Sequence, residues 1–211
     1  MTDKKLVIFD MDGTLVDSSL TIANAINYVR EALYLPKLSK EDIIQNINNH
    51  NINPARYFYN AQHFLPEHER LFSSYYTKNH TKELSLYDGI HELLAELRNV
   101  GKKIAIATNA YRKSALESLE HLEIIDYFDS VVCFDDVSHG KPSAEMLLKI
   151  MTRAQCKPHE SVFVGDGQRD KIAATRANID YIMVNWGFSD YTEGAIGDVA
   201  LLREKLIGAY G

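Results

Sequence analysis

The sequence predicts an α/β protein: an open parallel sheet with helices on both faces, and a helical segment inserted after the first strand. Three observations predict it. Short apolar runs recur along the chain, each ending at a polar residue or glycine. Helical patterns separate the runs. One long early stretch has helical periodicity and no strand pattern.

The strands carry the first observation. Lys5–Phe9 runs into Asp10, Lys103–Ala107 into Thr108 and Asn109, and Val131–Phe134 into Asp135 and Asp136. Val162–Val164 runs into Gly165 and Asp166, and Tyr181–Val184 into Asn185. Their apolarity is continuous, which fits strands covered on both faces, as in a parallel sheet. The helices carry the second. Ile90–Val100 places Ile90, Leu93, Leu94 and Leu97 on one face, and Ser114–Leu122 repeats this with Leu116, Leu119 and Leu122. Ala144–Ala154 does so with Leu147, Leu148 and Met151. Alternating strand and helix implies right-handed crossovers.

Residues 16–85 carry the third. Ile22, Ala25, Ile26 and Val29 recur at helical spacing, and seven basic residues balance seven acidic ones. The asparagine-rich Gln45–Asn53 reads as a helix end and loop. The aromatics Tyr57, Phe58, Tyr59, Phe72, Tyr75 and Tyr76 read as packing. The expected division is a core of residues 1–15 and 86–211 and a helical unit of residues 16–85.

Composition narrows the function. The 211 residues are 45% hydrophobic and 25% charged, with a formal net charge of −6. These are ordinary values for a globular protein. An acidic balance argues against a general nucleic-acid binder. The opening apolar run is broken by Asp10 and Asp12, so it does not form a signal-peptide core, and no stretch has the length and apolarity of a membrane span. Cys133 and Cys156 form no metal-like or disulfide-like pattern and read as free thiols of a reducing compartment. The expectation is a cytoplasmic protein, monomeric or homodimeric, with no nucleic-acid or membrane partner.

Chemistry concentrates at the strand ends, where open α/β sheets bind ligands. Asp10-Met11-Asp12-Gly13-Thr14-Leu15 offers two carboxylates for a small hard cation, and Gly13 permits a tight turn whose N–H groups approach an anion. Gly165-Asp166-Gly167-Gln168-Arg169-Asp170 brings two more carboxylates, a concentration that repels itself without a cation. Thr108 and Asn109 offer a hydroxyl and an amide to an oxyanion. Lys141, in Gly140-Lys141-Pro142, adds a point charge suited to phosphate or to clustered carboxylates. Each alone is as well explained by a cap, a turn or a solvated surface. Together, on successive strand–helix units, they supply phosphoryl transfer to a carboxylate.

In these motifs the sequence resembles the haloacid dehalogenase superfamily of phosphohydrolases. The DxDGTL run at Asp10, Thr108 at a strand end, Lys141 in GKP and the GDxxxD run at Gly165 stand in the family's order. The resemblance implies a Rossmann-like core with a small helical cap, of the phosphoglycolate-phosphatase-like branch. It implies a nucleophile at Asp10 and a general acid and base at Asp12. Mg²⁺ would be held by the Asp10 carboxylate, the Asp12 main-chain carbonyl and Asp166, with Asp170 at the metal directly or through water. Thr108 and Lys141 would bind phosphate oxygens, helped by Asn109 and the backbone at Gly13, and Lys141 would orient Asp10. Asp12 also favours phosphate chemistry, because a dehalogenase has no alcohol leaving group to protonate. Arg56 or His50 would meet the far end of a substrate, each as well read as a solvated helix end. The implied activity is hydrolysis of a small phosphate monoester, phosphoglycolate being the best single name. A sugar-phosphate mutase, a nucleotidase (hinted at by the aromatic-rich insertion alone) and a non-catalytic regulatory protein are the alternatives. Gly167 stands where the branch usually has serine, and Asn178 where glycine is common.

Overall fold

The computed structural model describes residues 3–47, 52–187 and 193–208. The first strand, β1 (Leu6–Phe9), is followed by a tight loop and the short β2 (Val16–Asp17). Four helices come next: α1 (Ser19–Ala32), α2 (Lys40–Ile47), α3 (Pro54–Tyr59) and α4 (Pro66–Glu83). The chain returns through β3 (Ser85–Leu86), which pairs antiparallel with β2. The helical stretch thus has a two-strand ribbon at its ends, which two-residue strands give no periodicity to reveal.

Strand–helix alternation then resumes. The elements are α5 (Ile90–Asn99), β4 (Lys103–Ala107), α6 (Arg112–His121), β5 (Ser130–Val132) and α7 (Glu145–Ala154). They continue with β6 (Ser161–Gly165), α8 (Gln168–Ala177), β7 (Asp180–Met183) and α9 (Val199–Ile207). The third predicted strand ends earlier than its apolar run, because Phe134 begins a single 3₁₀ turn.

The five long-sheet strands lie in the order β5-β4-β1-β6-β7, and every neighbouring pair is parallel. Side chains of β1 alternate between two cores. Val7 and Phe9 pack with Leu93, Leu97, Leu119 and Leu206, under α5, α6 and α9. Leu6 and Ile8 pack with Met146, Leu147, Ala173 and Ala174, under α7 and α8. Burial on both faces is the reason these strands are apolar throughout. A third apolar cluster, around Ile26, Val29, Ile43, Phe58 and Tyr59, belongs to α1–α4.

Strand β1 sits at the centre, with β4 on one side and β6 on the other. The helix after β4 covers one face and the helix after β6 covers the other. The chain therefore diverges around the carboxyl end of β1 and leaves a crevice there. Among the described residues, no helix is long and apolar enough to cross a membrane. Both cysteines are free, Cys133 buried and Cys156 half-buried.

Candidate active site

Three adjacent strand ends deliver the site. Asp10 follows β1, Thr108 follows β4, and Asp166 follows β6. Lys141 arrives from the connection between β5 and α7, and Asp170 from the first turn of α8. Asp10, Thr108, Lys141, Asp166 and Asp170 are all buried.

Lys141 is the hub. Its Nζ lies 2.6 Å from Asp10 Oδ1 and 2.7 Å from Asp170 Oδ1. Burial alone would lower its affinity for a proton, but the two carboxylates hold the ammonium above its ordinary value. Asn109 fixes it from behind: the Lys141 N–H donates to Asn109 Oδ1 (2.8 Å), and Asn109 Nδ2 donates to the Lys141 carbonyl (3.0 Å). Gly140 makes room for this clamp, since a Cβ there would lie 2.7 Å from Asn109 Oδ1. The side-chain amide that the sequence offers to an oxyanion is therefore engaged with the main chain of Lys141.

Asp10, Asp166 and Asp170 each present a carboxylate oxygen, all within 4.8 Å of one another. Burial is the main cause that pushes Asp166 up to about 8, with Asp10 and Asp170 adding repulsion. Asp10 is pushed up to about 7, again chiefly by burial, with Lys141 opposing. Buried oxygens that repel one another to this degree fit a small hard divalent cation such as Mg²⁺. The Asp12 carboxylate stands outside this group, and one of its oxygens, Oδ1, is buried without a hydrogen-bond partner among the described residues. Burial pushes this carboxyl up, and the nearby Ser18 hydroxyl and Lys141 pull it back.

The loops are braced from outside. Gly13 takes a left-handed φ of 79°, and its N–H donates to the Val16 carbonyl at 2.9 Å. That N–H is turned into the loop. Trp186 Nε1 donates to the Thr14 carbonyl at 2.9 Å. The Tyr181 hydroxyl reaches the carbonyls of Gly165 and Gly167, at 2.8 and 3.2 Å. Gly167 N–H donates to Asp170 Oδ2 at 3.1 Å, capping α8 with one of the site's own carboxylates.

Residues 7–184 match the family model for haloacid dehalogenase-like hydrolases. The chain belongs to that family. Pyrophosphatase PpaX of Bacillus velezensis is 32% identical to this hydrolase over 193 residues, covering 88% of this chain and 86% of that protein. PpaX of Bacillus cereus is 29% identical over 183 residues, covering 85% and 82%. A crystal structure of a predicted phosphoglycolate phosphatase from Haemophilus somnus superimposes with a TM-score of 0.78 at 26% identity, over 91% of this chain and 90% of that one. A haloacid dehalogenase-like hydrolase from Streptococcus pneumoniae superimposes with a TM-score of 0.77 at 26% identity, over 92% and 90%. The protein is a phosphatase enzyme of this haloacid dehalogenase-like family.

In this hydrolase a cavity of about 900 Å³ opens above the carboxylates. Its floor is Asp10, Asp12, Thr108, Lys141, Asp166 and Asp170. The inserted helices contribute Ile22, Ile47, Phe72, Ser73, Tyr76 and Thr77 to its wall. The core rim adds Tyr111, Lys113 and Arg169. None of these wall or rim residues was singled out from the sequence as a site residue. Phe72 and Tyr76 read in the sequence as packing ahead of base stacking, and no motif marks the others. Arg56, the substrate-binding residue expected of the insertion, is exposed at the start of α3 and does not line the cavity. His50 lies outside the described residues.

Proposed function

We propose that the protein is a Mg²⁺-dependent phosphatase that hydrolyses a small phosphate monoester through a phosphorylated Asp10. The observation that carries this reading is the buried contact of Lys141 with both Asp10 and Asp170, at 2.6 and 2.7 Å, beneath an open cavity. It holds a carboxylate oxygen of Asp10 oriented toward the place where a phosphate would sit.

The chemistry follows from these groups. Asp10 attacks phosphorus, and the bond from phosphorus to the ester oxygen breaks. Asp12 gives its proton to the departing oxygen, which leaves as the alcohol. Asp12 then takes a proton from water, and the water oxygen attacks phosphorus, releasing inorganic phosphate and restoring Asp10. The raised proton affinity of Asp12 suits a group that starts protonated. Thr108 and Lys141 hold phosphate oxygens. Asn109 serves by positioning Lys141. Mg²⁺, held by the Asp10 and Asp166 carboxylates and the Asp12 main-chain carbonyl with Asp170 beside them, would supply charge neutralisation between carboxylate and phosphate. Residues 16–85 act as a cap over a core of residues 1–15 and 86–211. The protein works in the cytoplasm.

Phosphoglycolate is the reference ester, and the reading leaves the leaving group to be decided by the cap. The test is phosphate release from a panel of monoesters, with Mg²⁺ and with EDTA, in the wild type and Asp10→Asn. Release that needs the metal and vanishes in the variant is expected. Release that persists in Asp10→Asn would remove Asp10 as the nucleophile.

A further inference from the structure

The aromatics of the inserted helices divide into two groups that the sequence does not separate. Phe58 and Tyr59 are buried in the insertion's own core, and the Tyr57 hydroxyl donates to Asp42. Phe72, Tyr76 and His80 instead form a ladder four residues apart along α4. The Phe72 and Tyr76 rings are nearly parallel, at 16° and 6.0 Å between centroids, and Tyr76 and His80 lie at 6° and 5.4 Å. The buried end of the ladder is His80, and Phe72 and Tyr76 line the cavity half-buried.

Asp12, Tyr76 and Phe72 line the same cavity. Asp12 is the group assigned to protonate the leaving oxygen, so the alcohol departs into the cavity that Tyr76 and Phe72 line. The Tyr76 hydroxyl makes no hydrogen bond among the described residues, which leaves it open to a ligand in the cavity. Ile22 and Ile47 extend the apolar wall, and Arg169, on the core rim, has no ion-pair or hydrogen-bond partner among the described residues. A cavity of about 900 Å³ is far larger than a two-carbon acid requires. It falls within the roughly 300–1,000 Å³ that holds a drug-sized ligand.

We propose that Phe72 and Tyr76 form an aromatic wall for the leaving alcohol, and that the preferred substrates are phosphate monoesters whose alcohol carries a flat ring, nucleoside monophosphates being the natural class. This rests on the phosphatase reading and specifies its leaving group. An aromatic wall meets a flat ring edge-to-face or offset, which tolerates different rings, and an open phenol O–H adds a hydrogen bond to ring or sugar atoms.

The Mg²⁺-loaded full chain is assayed on adenosine and uridine monophosphates, p-nitrophenyl phosphate, phosphoglycolate and pyrophosphate. The expected result is a kcat/KM for at least one nucleoside monophosphate above those for phosphoglycolate and pyrophosphate. In Phe72→Leu and Tyr76→Leu, which keep apolar volume and remove the rings, the preference for the nucleotide over phosphoglycolate falls about tenfold. Tyr76→Phe retains most of that preference. Free nucleosides inhibit p-nitrophenyl phosphate hydrolysis competitively in the wild type, a readout that does not depend on the variants folding. A wild type that prefers phosphoglycolate or pyrophosphate overturns the proposal while leaving the phosphatase intact. A preference for p-nitrophenyl phosphate alone, without nucleoside inhibition, overturns the nucleoside class. No phosphate from any ester defeats both readings together.

Discussion

Lys141 shows how one residue changes meaning between sequence and structure. Taken alone in Gly-Lys-Pro it is as well read as a solvated cation. In the fold it is 6% exposed and touches two carboxylates, because the β5–α7 connection folds over the end of β1 and Asn109 ties down its main chain. Asn109→Ala removes both ties. It is expected to lower kcat by about tenfold or more through misplacement of Lys141. The stability cost should be about 1–3 kcal/mol for the two lost hydrogen bonds. Steady-state kinetics with a parallel thermal melt separates the two, and an unchanged kcat would free Asn109 from this duty. Asp12→Asn is expected to slow both formation and breakdown of the phosphorylated Asp10, seen by rapid-quench trapping. Slowing of one step alone would split the acid and base roles between different groups. The six core residues were legible because strand ends fix where chemistry gathers. Arg56, exposed and outside the cavity lining, was open to two readings because nothing in a helix-start sequence says which way the helix faces.

Among the elements, α8 links packing to chemistry. It starts against Gly165, where an added Cβ would lie 2.8 Å from the Asp170 side chain, so this strand end and this helix start approach as closely as glycine allows. Gly165→Ala should push the first turn outward and displace Asp170 from Lys141. A shift of about 1 Å there is expected to cost on the order of a hundredfold in kcat. The same helix ends at Asn178, in the left-handed conformation with φ 55°. The family's usual glycine and this asparagine both tolerate that geometry. Asn178→Ala is expected to cost roughly 1–2 kcal/mol, and Asn178→Gly to stay within about 0.5 kcal/mol of wild type. Denaturant melts decide it; equal stability of the two variants would mean that the left-handed turn costs nothing here. The five sheet strands and the helices α5, α6 and α7 were readable from periodicity to within a residue or two. The β2–β3 ribbon was not, because its two-residue strands hold no period, and the aromatic ladder on α4 was not, because ring spacing alone does not distinguish a packed face from an open one.

Across the whole molecule, the site is a charge imbalance that the fold maintains at its centre. Asp10, Asp166 and Asp170 are brought together at the crevice by three different elements, with Lys141 paired to Asp10 and Asp170. Burial pushes Asp10 up to about 7 and Asp166 up to about 8, from an ordinary aspartate value of 3.8. A folded-state value above the unfolded one means that the folded chain keeps protons the unfolded chain has already lost. Between 3.8 and about 8 the folded state therefore binds more protons, and stability falls as pH rises through that window. The penalty is absent below it and fully developed above it. A divalent cation binds the ionised carboxylates, so it relieves most where most protons have been lost. In EDTA the melting temperature is expected to fall as pH rises toward about 8, and the increase produced by Mg²⁺ to grow over the same range. Asp166→Asn should flatten the EDTA curve, because it removes one repelling charge, and should also remove most of the Mg²⁺ increase. Differential scanning calorimetry across that range tests both. A Mg²⁺ effect independent of pH, or one that survives Asp166→Asn undiminished, would place the cation away from these carboxylates. The strand ends would then be a repelling cluster held by the fold alone.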